Sequence, residues 1–399
     1  MISRHVLVIP AGAADEPLEP LDGRTPLEAA LTPAMDEIVR LGRQGTVRTV
    51  PPGFAPSRDV ATLTLAGYDV RRAYSGYAGL EALGLRIPIG PGEVAFRANL
   101  VTIDEGRLHD ATAGRIDTDD ARTLFDALNA ALSPRGVCFH TGLSYRGLMV
   151  TAHDWAAGVS CTPAHDMVGE RLDRHWPGGR GAGELQSLML AAHELLRDHP
   201  VNRRRAERGA PPANGVWLWG QGVLPRVRRF RERFGKRTAA LGDVPLFRGV
   251  AFLLGWRVVE APGAIGSADA DDAPTARAAL AALDEADLVV VHVEEPADAA
   301  YAGDLAAKTR ALERIDRHVV GPLLERLRRE ERWSLLVAPD IAIHAIRRAH
   351  AAQPVPFCVA GSGPFHGPIA QSSFGESAAQ RSDLHVEHGW ELMEYFLRT

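Results

Sequence analysis

Residues 5–12 read His-Val-Leu-Val-Ile-Pro-Ala-Gly, a short and mostly apolar run closed by turn-forming residues. Such a run, when helical periodicity follows it, is the trace of a strand-helix unit on a parallel sheet. Working outward from His5–Ile9, the same trace recurs at Arg237–Leu241, Trp256–Glu260, Leu288–Val293, Ser334–Ala338 and Phe357–Ala360. Helices are expected between them. Thr32–Leu41 opens with a Thr-Pro start and Thr275–Leu283 is rich in alanine. Asp304–Arg329 carries Leu312, Ile315, Val319, Leu323 and Leu327, spaced by three and four so that they form one core-facing stripe. The pattern predicts a doubly wound α/β core.

Residues 93–153 follow another rule. The alternating segments Val94–Ile103 and Gly147–Thr151 flank a helix at Asp119–Leu132, with a turn at Gly106, which predicts an α+β insertion. The Gly-rich stretch Pro177–Gly183 reads as a hinge or exposed loop before a helix at Glu184–Leu196. A chain of 399 residues, 46% of them hydrophobic, exceeds the ~250–300 residues at which one core stops growing. Two domains are therefore expected: a core of 1–92 with 184–399, and an inserted α+β cap of 93–183. The acidic run Asp269–Asp272 is read as a solvated loop and helix start.

Charge excludes some function classes. The 45 basic and 50 acidic side chains leave a formal charge of −5, and no block of like charges stands apart, so nucleic acid is not expected as a partner. Arginine supplies almost all the basic side chains; Lys236 and Lys308 are the only lysines. Arginine number alone is therefore no site signal. Cys138, Cys161 and Cys358 are odd in number and lack CxxC spacing, which suggests neither a disulfide framework nor a zinc knuckle and fits a reduced, cytoplasmic setting. No segment approaches the ~20 apolar residues of a membrane span, and none resembles a secretory leader.

Several dispersed blocks then carry a resemblance. They include Gly23-Arg24-Thr25-Pro26-Leu27-Glu28-Ala29-Ala30, Leu65-Ala66-Gly67-Tyr68-Asp69, Leu80-Glu81-Ala82-Leu83-Gly84, Pro91-Gly92-Glu93-Val94-Ala95-Phe96-Arg97-Ala98-Asn99 and Ala113-Gly114-Arg115-Ile116. Later come Ser144-Tyr145-Arg146-Gly147, His199-Pro200-Val201-Asn202, Pro212-Ala213-Asn214 and Gly303-Asp304. In that order they resemble the archaeal-type, 2,3-bisphosphoglycerate-independent phosphoglycerate mutases of the alkaline phosphatase superfamily, over nearly the whole chain. The resemblance implies an alkaline-phosphatase-like α/β domain with an inserted α+β cap and a cleft between them. In that family a metal-activated serine takes the phosphoryl group from a phosphoglycerate and returns it to the other hydroxyl.

The same resemblance implies two Mn²⁺ or Mg²⁺ ions held by about seven Asp, His and Ser donors, because phosphoserine chemistry needs cations to lower the serine pKa and neutralise the phosphoryl oxygens. Position by position, most are missing. The family's first Asp-Gly pair is Ala11-Gly12 here, and its Gly-Ser-Asp-x-Ala-His reads Ser57-Arg58-Asp59-Val60-Ala61-Thr62, so that Arg58 takes the place of the nucleophile. Its Asp-Glu-x-x-His-x-Gly-Asp reads Ala297-Asp298-Ala299-Ala300-Tyr301-Ala302-Gly303-Asp304, which removes both ligands. Asp340 and His350 remain as remnant ligand positions, and Asp15, His292, Asp298 and His344 lie close enough in sequence to be weighed as substitutes. No metal cofactor is expected.

Arg58 supports two readings: it holds a phosphate or carboxylate bidentately, or it pairs with Asp340 or Asp59 and fills the emptied site with internal charge. Asp59 and Tyr301 complete the candidate catalytic set. The resemblance also points to Arg97, Asn99, Arg115 and Arg146 as substrate-binding positions, with Trp219 replacing an arginine of the family's cleft either as a repacked loop or as a stacking surface. The expected function is a mutase-like protein that has lost two-metal phosphoserine chemistry and binds a small phosphorylated or carboxylated metabolite. Alternatives left open are an enzyme with metal-independent group-transfer, lyase or hydrolase chemistry, and a non-catalytic partner of an active paralogue, with a homo-oligomer also conceivable. A true Mn-dependent mutase ranks last.

Overall fold

The computed structural model describes residues 3–261, 273–365 and 371–398; the run Asp269–Asp272 lies outside them. The chain divides into two compact units, Met1–Tyr74 with Arg226–Thr399, and Ser75–Pro225.

The first unit is built on an eight-stranded sheet. Its first strand, Arg4–Pro10, runs parallel to Leu288–Val293 on one side and to Trp333–Val337 on the other. A strand flanked on both sides and covered on both faces is expected to be mostly apolar, and Val6 to Ile9 are at most 1% exposed, while the buried His5 is hydrogen-bonded to Ser334. Thr238–Leu241 extends the parallel array beyond Leu288–Val293. Because these strands share a direction, the residues just past their C-terminal ends, 11–12, 294 and 339–341, gather at one edge, where open α/β sheets place their sites.

Two expectations change in detail. Val355–Gly361 runs antiparallel to both Trp333–Val337 and Arg43–Val47, so the sheet is mixed. The long helix expected at 304–329 is present as Leu305–Ile315 and Gly321–Leu327 joined by a π-helical turn, Asp316–Val320. In that turn the Asp316 carboxylate accepts the backbone N–H groups of Ala34 (3.1 Å) and Met35 (2.8 Å), which start the helix Pro33–Leu41. The stripe from Leu312 to Leu327 is buried as its spacing predicts.

In the second unit the strand Val94–Asp104 pairs antiparallel with Arg146–Thr151 and with Gly215–Gly222. Helix Thr118–Leu132 buries Leu124, Phe125 and Leu128 in its core. This unit is wider than the expected insertion of 93–183. Residues 215–222 return to the sheet, and helix Tyr77–Gly84 lays Ala78 and Ala82 against Ala95, Leu148 and Val150.

Candidate functional site

Arg58 opens the helix Arg58–Leu65, every residue of which is buried. Its guanidinium is fully engaged by the chain's own side chains. Nε–H donates to Asp340 Oδ2 at 3.1 Å, and Nη1 and Nη2 donate to the two oxygens of Glu294, the latter at 2.5 Å. Nη2 also stands 3.2 Å from His292 Nε2. Burial works against the arginine charge, yet Glu294 and Asp340 outweigh it and hold the Arg58 pKa above the usual arginine value. Burial likewise opposes ionisation of Asp340, but the charge of Arg58 keeps its carboxyl below the ordinary range.

The other Asp340 oxygen accepts the backbone N–H groups of Gly12 and Ile341, both at 2.8 Å. Gly12 adopts a φ of +62°, and a Cβ there would lie 2.5 Å from Ile343 Cδ1 and 3.1 Å from the Cα of Ala297. The loop after the first strand therefore needs glycine, and it brings Ala11, Ala297 and Asp340 into one neighbourhood. His292 stacks on Phe247 (ring centroids 4.6 Å) and burial lowers its pKa, so the ring is neutral, accepting through Nε2. Its Nδ1 is buried without a hydrogen-bond partner among the described residues.

Asp59 is not part of this ion-pair cluster. It is fully buried, its carboxylate accepts the Ser57 hydroxyl, and burial raises its pKa. Tyr301 is 38% exposed, and its hydroxyl lies 2.6 Å from His350 Nε2, while His350 Nδ1 lies 3.3 Å from the carbonyl of Pro56. A carbonyl only accepts, which fixes Nδ1 as the protonated nitrogen and Tyr301 as donor to Nε2. Desolvation pushes the Tyr301 phenol up to about 12.

The second unit brings four expected residues together. On the strand ladder Asn99 faces Arg146 and Arg97 faces Trp219. Trp219 Nε1–H donates to Asn99 Oδ1 at 3.4 Å. The indole is 6% exposed, with Arg97, Tyr77 and His165 packed around it, which leaves no open face for a stacked ligand. Arg115 is exposed at φ +52° in a turn held by Asp110, and among the described residues it makes no hydrogen bond to the other four.

Residues 40–202 match the family model of 2,3-bisphosphoglycerate-independent phosphoglycerate mutase. A Methanothrix thermoacetophila protein named 2,3-bisphosphoglycerate-independent phosphoglycerate mutase is 44% identical over 361 residues, covering 90% of this chain and 91% of the relative. The chain belongs to that family. The fold agrees with it: a cofactor-independent phosphoglycerate mutase from Thermoplasma acidophilum superposes with a TM-score of 0.63 at 24% identity, covering 100% of this chain and 99% of its own. A Pyrococcus horikoshii protein superposes with a TM-score of 0.80, also at 24% identity, covering 100% and 97%.

The donors present do not fit the pair of metal ions that mutase chemistry calls for. Both Asp340 oxygens are engaged, one by a guanidinium and one by backbone N–H groups. His350 is hydrogen-bonded to Tyr301, and Ala11 offers a methyl. Three of the four weighed substitutes are also occupied, and the fourth, Asp298, is exposed on helix Glu295–Ala302. Asp15 forms a wholly buried 2.8 Å ion pair with Lys308, His292 serves Arg58, and His344 Nε2 is 3.2 Å from Gln353 Oε1. Among the described residues no group of three or more His, Cys, Asp or Glu side chains is arranged to hold a metal ion.

Sequence reasoning missed Glu294 and Lys308. Glu294 immediately follows Val293 at the C-terminal end of a core strand, and Lys308 is one of two lysines in an arginine-rich chain. Both were readable signals.

Proposed function

We propose that this member of the phosphoglycerate mutase family binds a small phosphorylated or carboxylated metabolite and does not carry out two-metal phosphoserine chemistry. The carrying observation is that Arg58, which the sequence resemblance sets against the family's nucleophile, is clasped by Glu294 and Asp340. The cluster of one guanidinium, two carboxylates and a neutral imidazole has no positive charge to spare for an incoming anion. Anion binding is therefore assigned to the second unit, where Arg97 and Arg146 stand beside Asn99.

Interconversion of 3- and 2-phosphoglycerate is the direct test. The reading expects no turnover with Mn²⁺, together with calorimetrically detectable 3-phosphoglycerate binding in EDTA that weakens in Arg97→Ala and Arg146→Ala. Mn²⁺-dependent turnover by the purified chain would refute it.

One observation favours metal-independent chemistry at the first unit as a second reading. The Tyr301 and His350 side chains, 2.6 Å apart, form a donor-acceptor pair at a partly exposed position, as proton transfer requires. Its signature is activity that survives EDTA and disappears in Tyr301→Phe.

A further inference from the structure

We propose that Lys236 is a nucleophilic lysine and a site of covalent acylation, taking its acyl group from an activated donor such as an acyl phosphate. The site is independent of the binding reading above. It lies at the opposite edge of the first unit's sheet from Arg58, among residues at or just before the strand starts: Ser3, His5, Lys236 and Ser334.

The Lys236 amine has neutral partners only. Nζ donates to Ser3 Oγ at 2.7 Å and to His5 Nε2 at 3.0 Å, and it forms no ion pair among the described residues. The imidazole is set for this role from its far side. Ser334 Oγ donates to the carbonyl of Phe396 at 3.1 Å, so it accepts from His5 Nδ1–H at 2.8 Å and leaves Nε2 as the acceptor. Nε2 also stands 2.9 Å from Ser3 Oγ, which closes a triangle of polar atoms. Burial and the charge of Lys236 hold the His5 pKa down to about 3, so the ring is neutral. The nearby carboxylate of Asp287 is engaged by Arg237, which gives it Nε–H, Nη2–H and its backbone N–H. Burial lowers the Lys236 pKa below the usual lysine value; Asp287 opposes that effect and Arg332 adds to it.

A carboxylate partner would favour the ammonium over the free amine; a hydroxyl and a neutral imidazole give the charge no such reward. The neutral amine has two N–H groups for these two acceptors, which turns its lone pair away from them. Lys236 is half-buried, so an electrophile can arrive from solvent. In the step, the ammonium first yields a proton to water and the Nζ lone pair attacks the acyl carbonyl carbon. Phosphate then leaves with the electrons of the bond to that carbon, the nitrogen gives up a second proton, and an amide remains. The same partners select acyl donors over aldehydes. An amide nitrogen keeps one N–H for Ser3 or His5, a neutral imine keeps none, and an iminium would hold a charge without an ion-pair partner.

The lysine content makes the test specific, because the other lysine, Lys308, is 0% exposed. The full chain in EDTA near neutral pH is treated with acetyl phosphate beside Nα-acetyl-lysine amide in the same tube, and acetylation is quantified site by site by peptide mass spectrometry. Lys236 is expected to react faster than the model amine, while Lys308 stays unmodified and so reports that the chain is folded. Ser3→Asp, which places a carboxylate beside Nζ, is expected to slow Lys236 by about tenfold, the factor equivalent to ~1.4 kcal/mol. Reaction of wild-type Lys236 no faster than the model amine overturns the proposal and needs no variant. An unchanged rate in a folded Ser3→Asp chain overturns it as well. In a second arm, propionaldehyde with cyanoborohydride replaces acetyl phosphate; a preference for Lys236 over the model amine as large as in the first arm overturns the acyl class. None of these outcomes bears on metal-free anion binding, which the 3-phosphoglycerate titration reads separately.

Discussion

Asp340 and Arg58 hold each other in place: Oδ2 of the carboxylate accepts Nε–H of the guanidinium at 3.1 Å, while Oδ1 is pinned by the backbone of residues 12 and 341. The Asp340 side chain is completely buried and that of Arg58 is 10% exposed. Neither charge has water to fall back on.

Removing the cation alone is therefore expected to be severe. Arg58→Met strands Asp340 as a buried carboxylate and Glu294 as a half-buried one, and loss of one partner from a buried pair costs about 3–5 kcal/mol. Urea unfolding at pH 7 checks it. A loss below about 1 kcal/mol would mean that water reaches these carboxylates.

Acid should act at the same place. The folded pKa of Asp340 lies below its ordinary value of 3.8, so its stabilising share is present above that value and is lost as pH falls through the folded pKa. Thermal melts between pH 5 and the acid limb, wild type against Asp340→Asn, are expected to show a shallower acid loss in the variant. Parallel acid limbs would contradict the pairing.

Glu376 gives the opposite sign. Its oxygens accept the Asp15 backbone N–H at 3.1 Å and the Thr25 hydroxyl at 2.6 Å, and burial pushes its carboxyl from 4.5 up to about 7. Between those values the folded chain keeps a proton that the unfolded chain has released. Stability should fall as pH rises through that window, by about 3 kcal/mol in all, and level off above it. Glu376→Gln should flatten the slope, as denaturation midpoints at pH 5, 6, 7 and 8 would show.

Tyr301 is expected to ionise late. In ultraviolet titration of the folded protein, Tyr301→Phe should remove a phenol that titrates near 12 and leave the earlier tyrosines unchanged. Loss of an early-titrating phenol instead would show that its hydroxyl is solvated.

How far the sequence could be read depended on the range of the interactions. Runs such as Leu288–Val293 declare themselves because burial on both faces leaves mostly apolar residues, His292 being the exception, and the stripe from Leu312 to Leu327 is a local periodicity. The strand Gly215–Gly222 joins the second unit through pairing with residues more than a hundred positions earlier, which no local pattern reports; hence the narrower boundary expected there. At the site, pairing of Arg58 with Asp340 was foreseen as one alternative. Of the two alternatives, Asp340 or Asp59, the structure takes Asp340, while Asp59, next to Arg58 on the same helix start, meets Ser57. The further partner, Glu294, comes from just past the end of strand Leu288–Val293, more than two hundred residues away. Trp219 as a stacking surface also gave way, since a residue directly opposite Arg97 on the ladder has a cation for its neighbour.

The Arg58 cluster also limits how such a chain can change over generations. Its cation and two carboxylates come from three distant segments, and a replacement at any one leaves uncompensated charge at the others. Drift one codon at a time is blocked, and only coordinated substitutions lead out. The centre of the first unit thus changes as a set, with the same unpaired charges standing on the way in as on the way out.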